Sequence, residues 1–439
     1  MSKRILGKSL LCLFVGALII GAAGSEVNCP VFDTNPYEPK VTILQPDDGE
    51  SFDEGAPIEL RALVENMYGQ AQSFVTVAWK SDKDGDLGSA ACNQDWESRI
   101  ELTGLSLGEH TITAVAYNPD AIISAEDSIQ VTIRGGGDMV TIPAGTFTMG
   151  RANSGDDATY GESDELPRHE VYLDSYQIGK YEVTNAEYTN ILNWALGNGY
   201  IETYDATTVT SYGQELIDLD TAYCQVRYSE ERFIVESRDS YSMEDHPVVA
   251  VSWYGAIAYC NWLSRANDLV PCYNTSTWRC DFTRNGYRLP TEAEWERAAA
   301  WSGSKHWIYG YQNDYFSQTR ANSNDEEYAN PLNLSAYPYT TPIGYYNGMN
   351  SGTSNSPSPV GCYDMSGNVT EWCYDWYDGN YYNQSPENNP TGPTSDSYRI
   401  LRGGAWVSSF HHYARSANRL ANYPTYSHNY VGFRLSRDN

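Results

Sequence analysis

The stretch "GYRLPTEAEWERAAA" (286–300) decides how the second half of this chain is read. Thr291 is followed three positions later by Glu294, the pattern of a capping box in which hydroxyl and carboxylate each satisfy a free backbone N–H. The spacing predicts a helix from Thr291 through Trp301. Leu289 and Trp295 turn inward on it, and Glu292 and Glu296 stay in water. Two further helix starts lie upstream: Thr184, with Glu187 three residues on, opens "NAEYTNILNWAL", and Ser252 opens "SWYGAIAYCNWLSRA". Long irregular stretches such as 303–360 follow. Loops of that length inside one domain are uncommon unless they are functional or pinned by ions or disulfides.

The 439 residues allow two or three domains, and 41% hydrophobic content marks a globular chain. Tyr numbers 36 and the formal net charge is −29. Nucleic acid is excluded as a partner, because phosphate binding needs clustered Lys and Arg. The acidic surface provides solubility and suits cations or neutral polar molecules.

The chain opens "MSKRILGKSLLCLFVGALIIGAAGSEVNCP". A basic start, a short apolar run and Ala22-Ala23-Gly24 read residues 1–24 as a secretory signal, followed by a linker over 25–39. No later stretch reads as a membrane span, so the mature protein is expected outside the cytoplasm, periplasmic or extracellular. Removing Cys12 leaves eight cysteines, at 29, 92, 224, 260, 272, 280, 362 and 373. An even number in an exported chain suggests disulfides. The close pairs Cys272/Cys280 and Cys362/Cys373 are the candidates, and neither has the CxxC spacing of a zinc site.

Residues 40–134 alternate apolar and polar in six or seven short runs, with Trp79 in mid-strand, which predicts an all-β sandwich. Asp82, Asp84 and Asp86 flank Gly85 either as a hairpin turn or as calcium ligands, and the turn is the favoured reading. "WKSDKDGDLG" followed by "LGEHTITAVAYN" resembles bacterial immunoglobulin-like or PKD-like modules, which act as spacers or adhesive units. "RGGGD" (134–138) is a flexible junction to a second domain over 135–439.

Seven stretches of that domain occur in order: "IPAGTFTMG" (142–150), "ELPRHEVYLDSYQIGKYEVTNAEY" (165–188), "HPVVAVSWYGAIAYCNWLS" (246–264), "GYRLPTEAEWERAAA", "GCYDMSGNVTEWCYDWY" (361–377), "RILRGGAWVSS" (399–409) and "VGFRLSRD" (431–438). Together they resemble the sulfatase-modifying-factor, or formylglycine-generating-enzyme, family. The resemblance implies an α+β fold related to C-type lectins, poor in regular secondary structure and holding structural calcium. It nominates Ser366, Gly367, Val369 and Glu371 as calcium ligands in "SGNVTEW". "RANSN" nominates Asn322 and the Ser323 carbonyl for a second ion, without a matching downstream acid. Hard, oxygen-rich sites of this kind suit Ca²⁺.

The resemblance also implies what is missing. In formylglycine-generating enzymes the segment after "RGG" carries two cysteines that bind copper(I) and oxidise a substrate cysteine. Here it reads "RGGAWVSSFHHYARSANR", with Ser408 at the first position and no counterpart of the second. A hydroxyl is a poor copper(I) ligand, so no copper is expected. Leu435 replaces the cysteine of the family ending, which leaves Cys260 without its partner. No nucleophile-elbow motif surrounds Ser408. His411 and His412, read as strand neighbours, point to opposite faces. Trp406, Ser408, Ser409, His411, His412 and Arg415 are expected to line an inherited groove. The function expected is non-catalytic binding of a peptide or glycan, and the alternative is an active family enzyme with relocated catalytic residues. The sequence does not fix the oligomeric state.

Overall fold

The computed structural model describes residues 39–53, 55–66, 75–117, 124–323, 329–407 and 411–438. The predicted signal and nearly all of the linker lie outside these residues. The first part is β-rich: β1 (Pro39–Gln45), β2 (Glu50–Asp53), β3 (Ile58–Asn66), β4 (Thr76–Ser81), β5 (Gly85–Ala91), β6 (Glu97–Leu102), β7 (Gly108–Tyr117) and β8 (Ser124–Arg134). One sheet has the order β1-β3-β6, the other β2-β8-β7-β4-β5. Strand periodicity places His110, Ile112, Ala114 and Ala116 of β7 inward, and Trp79 of β4 is fully buried. Two of the eight strands escape the sequence pattern. β5 is an edge strand with Gly85 and Gly88 and no fully buried residue, so it reads as a turn. β2 is four residues long and pairs in parallel with β8. Asp82, Asp84 and Asp86 do not converge: they accept from Thr111 N–H (2.8 Å), accept from Ser106 N–H (2.9 Å) and pair with Lys80 (3.8 Å). That is a turn, not an ion site.

The three predicted helices form where the caps place them. They are α2 (Asn185–Gly197), α3 (Trp253–Ala266) and α4 (Glu292–Ala300), preceded by a short α1 (Gly155–Tyr160). Both capping boxes close, Thr184 with Glu187 and Thr291 with Glu294. The reading of α4 needs correction: every residue from Glu292 to Ala300 is buried, Glu292 and Glu296 included. Each glutamate meets an arginine outside the helix, and the partners of Glu292 and Glu296 are distant in sequence. Arg419 grips Glu292 through two bonds of 2.8 and 2.9 Å, and Arg288 grips Glu294 at 2.7 and 2.8 Å. Arg402 pairs with Glu296, which also accepts from Gly150 N–H (2.7 Å) and lies 3.0 Å from His306 Nε2. Buried carboxylates persist only when paired and hydrogen-bonded. Periodicity within the helix cannot reveal partners more than 100 residues away.

Beside α4 runs a four-stranded sheet in the order Leu420–Asn422, Arg399–Arg402, Thr370–Trp376, Val431–Gly432. It carries the "GNVTEW" and "RGG" motifs side by side, with Glu371 opposite Arg402.

The expected disulfides do not form. All seven described cysteines are free. Cys272 and Cys280 touch as thiols, and the Cys272 thiol donates to the Gly286 carbonyl at 3.2 Å. Cys362 and Cys373 are fully buried in the apolar cluster against α4. Burial pushes the Cys362 thiol up to about 11 and that of Cys373 well above its usual range, which suppresses the thiolate that oxidation requires.

Candidate functional site

The strand Arg399–Arg402 runs into Gly403 and Gly404, at φ 95° and 68°. A Cβ on Gly404 would lie 2.8 Å from Tyr413 and Ala414 backbone atoms, so the chain passes only as glycine. Trp406 is fully buried, donating through Nε1 to the Asn429 carbonyl (3.2 Å) and packing on Tyr337 and Tyr339 at 5.2 and 5.1 Å. It is an interior packing residue rather than an exposed contact. Ser408 and Ser409 lie outside the described residues.

Residues His411–Ala414 form a 3₁₀ turn, not a strand. The histidines therefore converge instead of diverging. His412 stacks on Tyr160 (5.0 Å, 8°), while His411 meets the same ring edge-on at 5.3 Å and stacks on Phe316 at 5.0 Å. His411 Nε2 is 3.5 Å from Asp156, whose carboxylate accepts the Tyr309 hydroxyl at 2.7 Å. Both rings thus have packing partners. Arg415 is not a groove contact. It is fully buried and bonds Asp157 (2.9 Å) and both oxygens of Glu165 (2.8 and 2.7 Å).

The "GNVTEW" loop is held tightly. Gly367, at φ 92°, passes where a Cβ would lie 2.6 Å from the Asn322 carbonyl. The Ser366 hydroxyl donates to the Ala414 carbonyl (2.7 Å) and accepts from Gly310 N–H (2.9 Å). The Glu371 carboxylate is closed by Arg434, through Nε and Nη2 at 2.6 Å each, and by Trp295 Nε1 at 2.7 Å. It does not fit as a free calcium ligand. Among the described residues no group of three His, Cys, Asp or Glu has a metal-holding arrangement.

Two acids missed in the sequence lie against this loop. Glu182 accepts from Val369 N–H (3.2 Å) and Asn368 Nδ2 (2.9 Å), and Asp364 accepts from Gly344 N–H (2.6 Å). Burial, and then the fields of Asp364 and Glu371, push the Glu182 carboxyl well above its usual range. Burial likewise pushes Asp364 up to about 6. Glu182 and Asp364 thus lie in the field of the Arg434 guanidinium, which Glu371 already holds. Nearby, Asn322 Oδ1 and Ser323 Oγ are buried without a hydrogen-bond partner. Both acids stand inside quoted motifs, "GKYEVT" and "CYDM", where only the third dimension reveals that they meet.

Residues 126–439 match the family described as "Sulfatase-modifying factor enzyme 1-like domain", more than half of the chain, and the chain belongs to that family. It is similar to the formylglycine-generating enzyme of Bos taurus, 27% identical over 80% of this chain and 86% of that protein. It is also similar to the serine/threonine-protein kinase pkn1 of Chlamydia pneumoniae, 32% identical over 69% of this chain. The match spans only 38% of the kinase's length. Among solved structures, PvdO from Pseudomonas aeruginosa aligns over 69% of this chain and 95% of its own, with 23% identity and a TM-score of 0.45.

Proposed function

We propose that this chain is an exported family member that binds a peptide or glycan and does not oxidise cysteine with copper. In this reading an immunoglobulin-like sandwich precedes a domain of C-type-lectin type that keeps the family's framework. The observation that carries it is Ser408, standing where the first copper cysteine belongs, with no counterpart of the second. The half-buried rings of Tyr337 and Tyr339 beside Trp406 support a recognition role, since Tyr gives large rigid contact area at low entropy cost. The Bos taurus relative favours a second reading, an active enzyme with relocated residues. The two separate on one assay. The protein is incubated with copper, oxygen and a sulfatase-motif peptide, and cysteine-to-aldehyde conversion is followed by mass spectrometry. No conversion above a no-protein control is expected, and none with Ser408→Cys, because one thiolate does not supply paired soft coordination. Turnover by the wild-type protein overturns the binding reading.

Calcium belongs to the same proposal as a structural ion. With Glu371 committed to Arg434, Asp364 and Glu182 are the acids against this loop that remain to hold it. An ion bound only to the folded chain raises its melting temperature by mass action, so a chelator is expected to lower it. Asp364→Asn is expected to abolish that response. In chelator at pH 8 the same variant is expected to be the more stable one. A carboxyl raised to about 6 contributes stability below its unfolded pKa and loses it as pH rises through 6. Identical melting curves with and without chelator would remove calcium from the proposal.

A further inference from the structure

On the far end of the strand Arg399–Arg402 from the glycine pair lies a cavity of about 450 Å³. Tyr254, Trp278, Tyr374 and Trp376 line it, with Arg279, Arg399 and the turn 391–395. Among the described residues no Asp or Glu lines it, although the chain has 57 acidic and 28 basic residues. A patch with two arginines and no acid on so acidic a protein selects anions.

Arg399 is the unusual member. It is only 3% exposed. Its guanidinium lies between the rings of Trp253 and Trp376, 3.6 and 3.5 Å from their centroids. Nη1 donates to the Tyr374 carbonyl, and Nε is buried without a partner. Arg288, Arg402, Arg415, Arg419 and Arg434 are equally hidden and each holds a carboxylate, whereas none of the described ion pairs includes Arg399. Burial pushes its pKa down to about 9, the mark of a cation short of an anion. Asp375 does not supply that anion. Its carboxylate accepts Glu292 N–H at 2.9 Å, and burial pushes the carboxyl well above its usual range.

Trp278 adds a second, independent sign. It has φ 58°, a left-handed conformation that bulky side chains rarely adopt. Such strain persists only where the surroundings impose it, and it clusters at functional sites. The hairpin between Tyr273–Asn274 and Arg279–Cys280 imposes it here, with Trp278 N–H donating to the Asn274 carbonyl at 2.7 Å. The result sets the half-buried indole against Tyr254, ring centroids 4.8 Å apart, at the mouth of the cavity.

We infer that this cavity binds an acidic saccharide, a sugar ring bearing a carboxylate. Arginine forks match carboxylates in a way that lysine does not. Indole and phenol faces offer apolar platforms for a ring, and the hydroxyls of Thr277, Thr394 and Ser395 offer partners for its hydroxyl groups. The site lies outside the groove at Trp406 and stands whatever the copper assay returns.

The test uses the full chain, tryptophan fluorescence and calorimetry, with trigalacturonic acid, a neutral trisaccharide and triglutamate as probes. Saturable binding of trigalacturonic acid is expected, with the other two weaker by about tenfold or more, a difference of about 1.4 kcal/mol. Arg279→Ala, at an exposed position of the hairpin, is expected to weaken it by about tenfold without moving the melting temperature. Trp278→Ala, which also loses packing on Tyr254, is expected to weaken it by about tenfold in protein that still unfolds cooperatively. Arg399→Lys keeps the charge, loses the fork and is expected to weaken it as well. The inference is overturned by no saturable binding, by equal binding of the neutral sugar, by preference for the peptide, or by indifference to Trp278→Ala.

Discussion

Glu371→Ala is expected to lower the unfolding free energy by about 3–5 kcal/mol, the cost of leaving one partner of a buried pair uncompensated. The carboxylate accepts three bonds, two from Arg434 and one from Trp295. Without it the Arg434 guanidinium stays fully buried, with only the carbonyls of Gly179, Lys180 and Tyr363 as hydrogen-bond partners. Urea unfolding followed by tryptophan fluorescence measures the loss. Replacing both residues by methionine is expected to restore most of it, because apolar substitution of a whole buried pair is often neutral or stabilising. A single alanine variant with an unchanged midpoint would show that the pair does not hold this strand.

Glu296→Gln carries a pH signature as well as a stability loss. Burial opposes ionisation of Glu296, but Arg402 and His306 outweigh it and hold the carboxyl down at about 2. A carboxyl depressed on folding stabilises above its unfolded pKa, and that contribution fades as pH falls through the folded value. The wild-type advantage over Glu296→Gln is therefore expected to be about 3 kcal/mol at pH 7. It should shrink steadily between roughly pH 5 and pH 2. Paired urea titrations at pH 7, 4 and 3 measure it. A difference that stays constant across that range would contradict the assignment.

What the sequence made legible follows from how local each signal is. The caps at Thr184, Ser252 and Thr291 act within four residues, and all three helices start there. The strands that alternate cleanly were legible for the same reason, while β5, an edge strand with two glycines, was not. Glu292 and Glu296 were misread because their arginines, Arg419 and Arg402, lie more than 100 positions away. His411 and His412 were misread because a 3₁₀ turn brings neighbouring side chains closer than a strand does. Glu182 and Asp364 meet across about 180 positions of sequence, where no spacing rule reaches. Trp278 left no signal, since nothing in "NTSTWRC" announces a left-handed tryptophan.

The segment 403–414 leaves the framework between two anchors, Arg402 on Glu296 and Arg415 on Asp157 and Glu165. Both lie in the interior, so the ends of the segment are fixed whatever connects them. Past the buried Trp406, lengthening such a connection costs only about 0.6 kcal/mol per doubling in loop closure. The passage is thus tethered at both ends and again at Gly404 and Trp406, like a strap whose buckles are set inside the domain.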